Sequence, residues 1–230
     1  MKKAYFITGT DTGVGKTLVT GALLHAFARQ GNKVVGMKPV AAGCEATPHG
    51  LSCEDVELLR AQSNVAAPLN LVNPYAMAAA IAPHIAAEQA GVEINLETID
   101  QALRNLRAMA DVVVVEGVGG FMVPLNATQD TADMAEMLGL PVILVVGMRL
   151  GCINHALLTA QAIRHKRLRL AAWVANRIDS DMGAFDENLR ILKTRLAAPL
   201  LCVIPRLAEA DPAAVSGLMD LHILNSHKEK

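Results

Sequence analysis

Near the start of the chain, Gly9-Thr-Asp-Thr-Gly-Val-Gly-Lys-Thr17 has the composition of a loop that holds phosphate. Glycines let the backbone curl until successive N–H groups converge on phosphate oxygens, and a helix that begins there adds its own unpaired N–H groups. Lys16 can reach the β and γ phosphates of a nucleotide, and the Thr17 hydroxyl can help to hold Mg²⁺. The usual spacing G-x-x-x-x-G-K-[ST] is not met, because Thr10 stands where the first glycine belongs and Gly9 comes one residue early. An apolar run before the loop and a helical pattern after it still point to binding of a nucleoside triphosphate.

Other residues with chemistry to offer follow apolar runs. Lys38 precedes Pro39, Glu116 follows VVVV, and Arg149, Asn176 and Pro205 come at or just after three further runs. In an open α/β sheet the ligand sits outside the carboxyl ends of the strands, so this sorting is that of a site. Glu116 takes the place of the strand-end acid that helps to bind Mg²⁺ in phosphate-loop proteins. Lys38 is either a surface lysine or a cation that stabilises negative charge on a transferring phosphoryl group or an anionic substrate. Asp55 is open between two roles, since Ser52-Cys-Glu-Asp55 has the pattern of a capping box that would merely start a helix. His155 opens a helical pattern after Gly151, but no Ser or Cys nucleophile with an Asp partner can be assembled around it.

The elements that must position these groups alternate. Strands are expected at 4–8, 33–37, 111–115, 141–146, 170–175 and 200–204. Helices are expected at 17–30, 96–109, 154–165 and 184–196. That rhythm predicts βαβ units and an α/β fold, a doubly wound and mainly parallel sheet of the P-loop NTPase type flanked by helices. The whole of 1–230 reads as one ATP-binding domain. An excursion at about 41–90 interrupts it, with Pro48, Pro68, Pro74 and Pro83 and one short helix at 54–62. The tail after Asp211 is weakly patterned, and the final SHKEK is expected to fray.

Composition narrows the function. With 21 basic and 22 acidic residues there is no basic patch, so nucleic acid is not an expected partner. Hydrophobic residues make up 52% but aromatics only 3%, which calls for an aliphatic core. The longest apolar run, 140–148, falls far short of the roughly 18 residues that would span a bilayer, so neither a membrane partner nor a membrane location is expected. Cys44, Cys53, Cys152 and Cys202 form no CxxC pair and have no zinc spacing, as for reduced thiols in a cytoplasmic protein.

GTDTGVGKT, GMKPVAAG, NPYAMAAAIAPH, VVVVEGVGG, LPVILVVG with LGCINHALLTAQ, and WVAN together resemble the dethiobiotin synthetases in order and spacing, from the first strand to about Leu207. GKT alone is common to many nucleotidases, whereas TDTxVGKT with KPV and GCINHA is specific. The resemblance implies an ATP-dependent cyclo-ligase of biotin biosynthesis that joins 7,8-diaminononanoate and CO₂ into dethiobiotin and releases ADP and phosphate. It implies a carbamate and a carbamic–phosphoric anhydride on the way. By position, Thr12, Gly13, Val14, Gly15, Lys16 and Thr17 would hold nucleotide; Thr17, Asp55 and Glu116 would hold Mg²⁺; and Lys16 and Lys38 would be catalytic. Asn176 with Pro205, Arg206 and Leu207 would flank the adenine. Gly151, Cys152, Ile153 and Asn154 would receive the substrate's carboxylate tail across a homodimer interface. Three positions depart from some members: Gly13 replaces Glu, Ala42 replaces a substrate-contacting Ser, and Arg149 replaces Lys. Asp11 stands where nucleotide switches of the partitioning type, which resemble this chain in fold, carry a second lysine. No Cys and His pairing of a glutamine-hydrolysing amidoligase is evident.

Overall fold

A computed structural model describes residues 2–47 and 50–225; Pro48 and the final SHKEK lie outside the described residues. The first strand, β1 (Lys3–Gly9), is buried from Ala4 onward. Its side chains alternate between two cores: Tyr5 and Ile7 enter one, and Ala4 and Phe6 the other. A strand covered on both faces has no polar side to show, which is why Ala4 to Ile7 is a continuous apolar run. Helix α1 (Lys16–Arg29) follows the loop, and β2 (Val34–Met37) comes after it.

Between β2 and the next long helix lie seven short elements. They are β3 (Val40–Ala42), β4 (Glu45–Thr47), β5 (Gly50–Ser52), α2 (Glu54–Gln62), α3 (Leu69–Val72), β6 (Tyr75–Met77) and α4 (Pro83–Gln89). β3 pairs in parallel with β6, and β4 with β5 antiparallel, so the expected loop excursion contains two small sheets of its own. Three-residue strands carry no readable period, and only α2 was legible in advance.

The alternation then resumes with α5 (Leu96–Met109), β7 (Val112–Glu116), α6 (Thr131–Leu138), β8 (Val142–Met148), α7 (Cys152–His165) and β9 (Leu170–Arg177). It ends with α8 (Phe185–Arg195), β10 (Leu200–Ile204), α9 (Pro212–Ser216) and α10 (His222–Asn225). The six long strands form one parallel sheet in the order β10-β9-β8-β1-β7-β2. The core behind α1, α9 and α10 includes Leu23, Phe27, Val174 and Val215, and the opposite face packs against α5 and α6 through Phe6, Val113, Ile99 and Leu106. Trp173, Leu144 and Val146 form a third cluster under α7 and α8.

Two sequence expectations change. Helix α6 was not foreseen, although Asp130 caps it in a full capping box with Asp133 and Gly139 ends it in the left-handed region at φ +61°. The capping box, one of the two readings left open at Ser52 to Asp55, does not form. The N-cap of α2 is Cys53, without a side-chain cap, while the Ser52 hydroxyl donates to Glu57 Oε1 at 2.5 Å. Asp55 therefore lies inside the first turn and is free for another role. Among the described residues no helix is long and apolar enough to cross a membrane.

Candidate active site

From β1 the chain goes to β2 and β7 on one side and later to β8, β9 and β10 on the other, so the loop after β1 sits where the winding reverses. Register aligns the strand ends beside it: Ile7 pairs with Glu116, Gly9 with Val145, and Asn176 with both Gly147 and Ile204. The polar residues at those ends accordingly share one edge of the sheet.

The loop is fixed by its neighbours. Thr10, at the position of the missing glycine, donates its N–H to Val145 O at 3.0 Å, and its hydroxyl accepts from Gly147 N at 3.3 Å. Asn176 Nδ2 donates to Val14 O at 2.8 Å. Gly15 has φ +93°, and a Cβ there would overlap that same amide, so glycine is required on two counts. The Val14 side chain is buried; what it can offer a phosphate is its N–H. Asp11 is ion-paired with Arg149 and accepts from Thr12 N at 2.7 Å.

At the foot of the loop five side chains meet. Thr17 Oγ1 lies 2.7 Å from Asp55 Oδ1 and 3.0 Å from Glu116 Oε1. Lys38 Nζ donates to Glu116 Oε1 at 2.5 Å, to Gly117 O at 3.2 Å and to Asp55 Oδ2 at 2.8 Å. Lys16 Nζ donates to Asp11 O at 3.0 Å. Burial opposes the charge on Lys38, but Glu116 and Asp55 outweigh it and hold the ammonium well above the usual lysine range. Burial, with the repulsion of Lys38 behind it, brings Lys16 down to about 8 despite the pull of Glu116, Asp55 and Asp11. Burial works against the Asp55 carboxylate too, and Lys38 with the Thr17 hydroxyl keeps it below the usual carboxylate range.

Glu116 is fully buried, and its Oε2 has no hydrogen-bond partner. A hydroxyl and two carboxylates, one with an oxygen to spare, are the hard donors that suit Mg²⁺, which takes few protein ligands and fills its octahedron with water and substrate phosphates. That economy explains why the described residues contain no group of three or more His, Cys, Asp or Glu able to hold a metal.

A cavity of about 690 Å³ opens over this cluster, lined by Thr12, Gly13, Gly15, Lys16, Thr17, Lys38, Asp55 and Glu116. It also takes in groups to which the sequence assigned no role, among them Val118, Gly119 and Val123 after β7 and Ala80 to Pro83 leading into α4. The GVGG run after Glu116 was the signal available for the first set; the second falls in NPYAMAAAIAPH, a motif of the resemblance to which no role was attached. Ala42 lines the wall as well. A second cavity of about 220 Å³ is lined by Leu18, Asn176, Pro205, Arg206 and Leu207. The bond from Asn176 to Val14 joins it to the loop.

Gly151, Cys152, Ile153 and Asn154 are not brought into either cavity. Gly151 caps α7 at φ +91° without a side-chain cap, and Cys152 is buried beneath the helix. Leu150, just before them, is 94% exposed.

A family model described as "AAA domain" matches residues 3–214. The chain is 58% identical over 221 residues to the ATP-dependent dethiobiotin synthetase of Nitrosospira multiformis, covering 96% of each protein. The chain belongs to the dethiobiotin synthetase family. Other members are similarly close: that of Aromatoleum aromaticum is 56% identical, covering 95% of this chain and 97% of its own length. That of Pseudomonas aeruginosa (strain UCBPP-PA14) is 50% identical, with 96% and 97% covered. Among solved structures, the MinD cell division protein of Aquifex aeolicus superposes with a TM-score of 0.55 at 17% identity, covering 93% of this chain and 84% of that one. The septum site-determining protein MinD from Pyrococcus horikoshii, in complex with Mg-ADP, gives 0.51 at 16% identity, with 99% and 90% covered. At those identities a dethiobiotin synthetase shares with MinD the P-loop NTPase fold alone.

Proposed function

We propose that this ATP-dependent dethiobiotin synthetase works by carbamoylation, phosphoryl transfer and ring closure. One amine of 7,8-diaminononanoate adds to CO₂ and loses a proton to give a carbamate. The carbamate oxygen attacks the γ phosphorus of ATP, the bond to the β-phosphate oxygen breaks, and ADP leaves. The second amine attacks the carbonyl carbon of the resulting carbamic–phosphoric anhydride. Phosphate departs and the ureido ring is closed.

The observation that carries this reading is the convergence of Lys16, Thr17, Lys38, Asp55 and Glu116 at the floor of one cavity. Nothing there is built as a strong general base, and little of the chemistry needs one: positioning and charge neutralisation suffice for phosphoryl transfer. Lys16 leaves the Asp11 carbonyl to meet the β and γ phosphates. Lys38, held at the end of β2, neutralises the carbamate and the phosphoryl group as it moves. Thr17, Asp55 and Glu116 would hold Mg²⁺, which when bound neutralises phosphate charge; Glu116 Oε2 is the oxygen with capacity left for it. Thr12 to Thr17 supply N–H groups to the phosphates, and Asn176 with Pro205, Arg206 and Leu207 frames the base.

The same reading makes the enzyme a homodimer whose Gly151 to Asn154 segment receives the carboxylate tail of the substrate bound by the partner. Exposed Leu150, together with Met122 and Leu158, which line a shared apolar cavity, supports an interface on this side of the molecule. We take the chain as one ATP-binding domain and place it in the cytoplasm, where ATP is supplied.

The deciding experiment is fixation of labelled CO₂ into acid-stable product with and without 7,8-diaminononanoate, ATP and Mg²⁺. Fixation matched mole for mole by ADP release is expected. Nucleotide binding without fixation would retain the phosphate loop and discard the substrate.

A further inference from the structure

Lys38 lies one residue beyond β2, whose pairing with β7 ends at Met37 and Val115. Its peptide therefore has no strand partner, and Pro39, the residue after it, has no N–H to offer. Both of its backbone polar groups are met instead from the end of α3. The Lys38 N–H donates to Val72 O at 2.8 Å, and Asn73 Nδ2 donates to Lys38 O at 2.6 Å. The same Nδ2 donates to Tyr75 O at 3.1 Å, at the start of β6.

The orientation of this amide follows from its surroundings. Two carbonyl oxygens face it, so only the NH₂ end can point toward them. Asn73 Oδ1 is left buried without a partner, and the Asn73 N–H is tied to Leu69 O at 2.7 Å. A buried acceptor left unmet is unusual and calls for a reason. Here the reason is the aim of the NH₂ end. By gripping Lys38 O and Tyr75 O together, Asn73 joins the lysine's backbone to the segment that continues into β6 and the Ala80 to Pro83 wall of the cavity.

We infer that Asn73 is a positioning residue for the carbamate and phosphoryl chemistry, setting the reach of the Lys38 ammonium by fixing its peptide. This rests on the role proposed above for Lys38. A displacement of about 1 Å in a group that must meet the transition state costs on the order of 100-fold in rate. Loss of the Asn73 donor therefore lowers kcat by about 10- to 100-fold, and leaves nucleotide affinity within about threefold, because the phosphate loop is held by other bonds.

The test uses the full chain, with labelled-CO₂ fixation for kcat and fluorescent ATP-analogue titration for affinity. Asn73→Leu keeps the volume and removes both polar atoms; Asn73→Ala serves where Leu is not accommodated. Leu106→Ala, in the core under α5 and away from the cavity, controls for lost stability. A fall in kcat in the Asn73 variant, absent from the control at an equal drop in Tm, supports the inference. Unchanged kcat, or an equal fall in the control, overturns it. The double variant Lys38→Ala/Asn73→Leu must be no slower than Lys38→Ala alone, since a residue acting through Lys38 has nothing left to position. A further fall there also overturns the inference. Full activity in Lys38→Ala would instead sink the role of the lysine, a different failure.

Discussion

Glu116 is withdrawn from solvent, and its two oxygens live differently: Oε1 takes the ammonium of Lys38 and faces the Thr17 hydroxyl, while Oε2 has no partner. Such a cluster makes single substitutions informative. Lys16→Ala should abolish turnover, and Lys38→Ala should lower kcat by roughly 100-fold or more while ATP still binds, as for a group that acts on transition-state charge. Full turnover in either, measured by ADP release, would refute the assignment. Gly15→Ala should cost about 1–2 kcal/mol for its left-handed backbone alone. Because the new methyl would also displace the Asn176 amide, nucleotide affinity should fall at least tenfold; titration with ATP checks this. At this scale much was legible beforehand. GKT, the strand-end Glu116 and Lys38-Pro39 stand where their types suggested, since a strand's carboxyl end leaves few places to go. Asp55 was open between capping and metal binding from its local pattern alone, and the pairing of Ser52 with Glu57 removes the capping role. Asn73 opens the NPYAMAAAIAPH motif, but its role gave no signal, because a side-chain amide that serves a distant peptide leaves no periodic pattern in the chain.

The elements that hold the site differ in how openly they declare themselves. β7 and β8 are runs of Val, Ile and Leu buried on both faces, and such runs are hard to mistake. α6 escaped notice because its eight residues make barely two turns, yet Asp130 and Gly139 mark its ends. Asp130→Ala should therefore lower stability by about 1 kcal/mol, seen as a lower Tm with unchanged ATP affinity. From the C-cap of α7, Lys166 reaches Asp133 at 2.7 Å and Glu136 at 2.8 Å, clipping α7 to α6. Its hydrogen bond to Asp133 holds that carboxyl below the usual range. A carboxylate depressed in the folded state stabilises the fold above its unfolded pKa, and that contribution is lost as pH falls through the folded value. Lys166→Met should accordingly lose up to about 1 kcal/mol at neutral pH, the part-exposed setting limiting the effect. In acid the gap to the parent should close; a gap that persists below pH 3 in urea titrations would show that packing, not charge, holds the clip.

For the molecule as a whole, the proposed dimer has a direct test. Leu150→Asp at the exposed approach to α7 should shift sedimentation toward the monomer and raise KM for 7,8-diaminononanoate by about tenfold or more, with ATP binding kept. A monomeric parent with full activity would remove the partner from the site. The sheet order has another consequence, in the time dimension of synthesis. β1 is made first but lies at the centre, and its neighbours are β7 and β8, whose pairing begins only at Val112 and Val142. A nascent chain thus carries this central strand without lateral partners until synthesis reaches Val112, and the contacts that shelter it are long-range ones, which form slowly. The two walls of the proposed base pocket, at Asn176 and at Pro205 to Leu207, emerge well after the phosphate loop. Ability to retain ATP is therefore a report that synthesis has passed β10, and a chain stopped before β9 would present a phosphate loop without the proposed base pocket beside it.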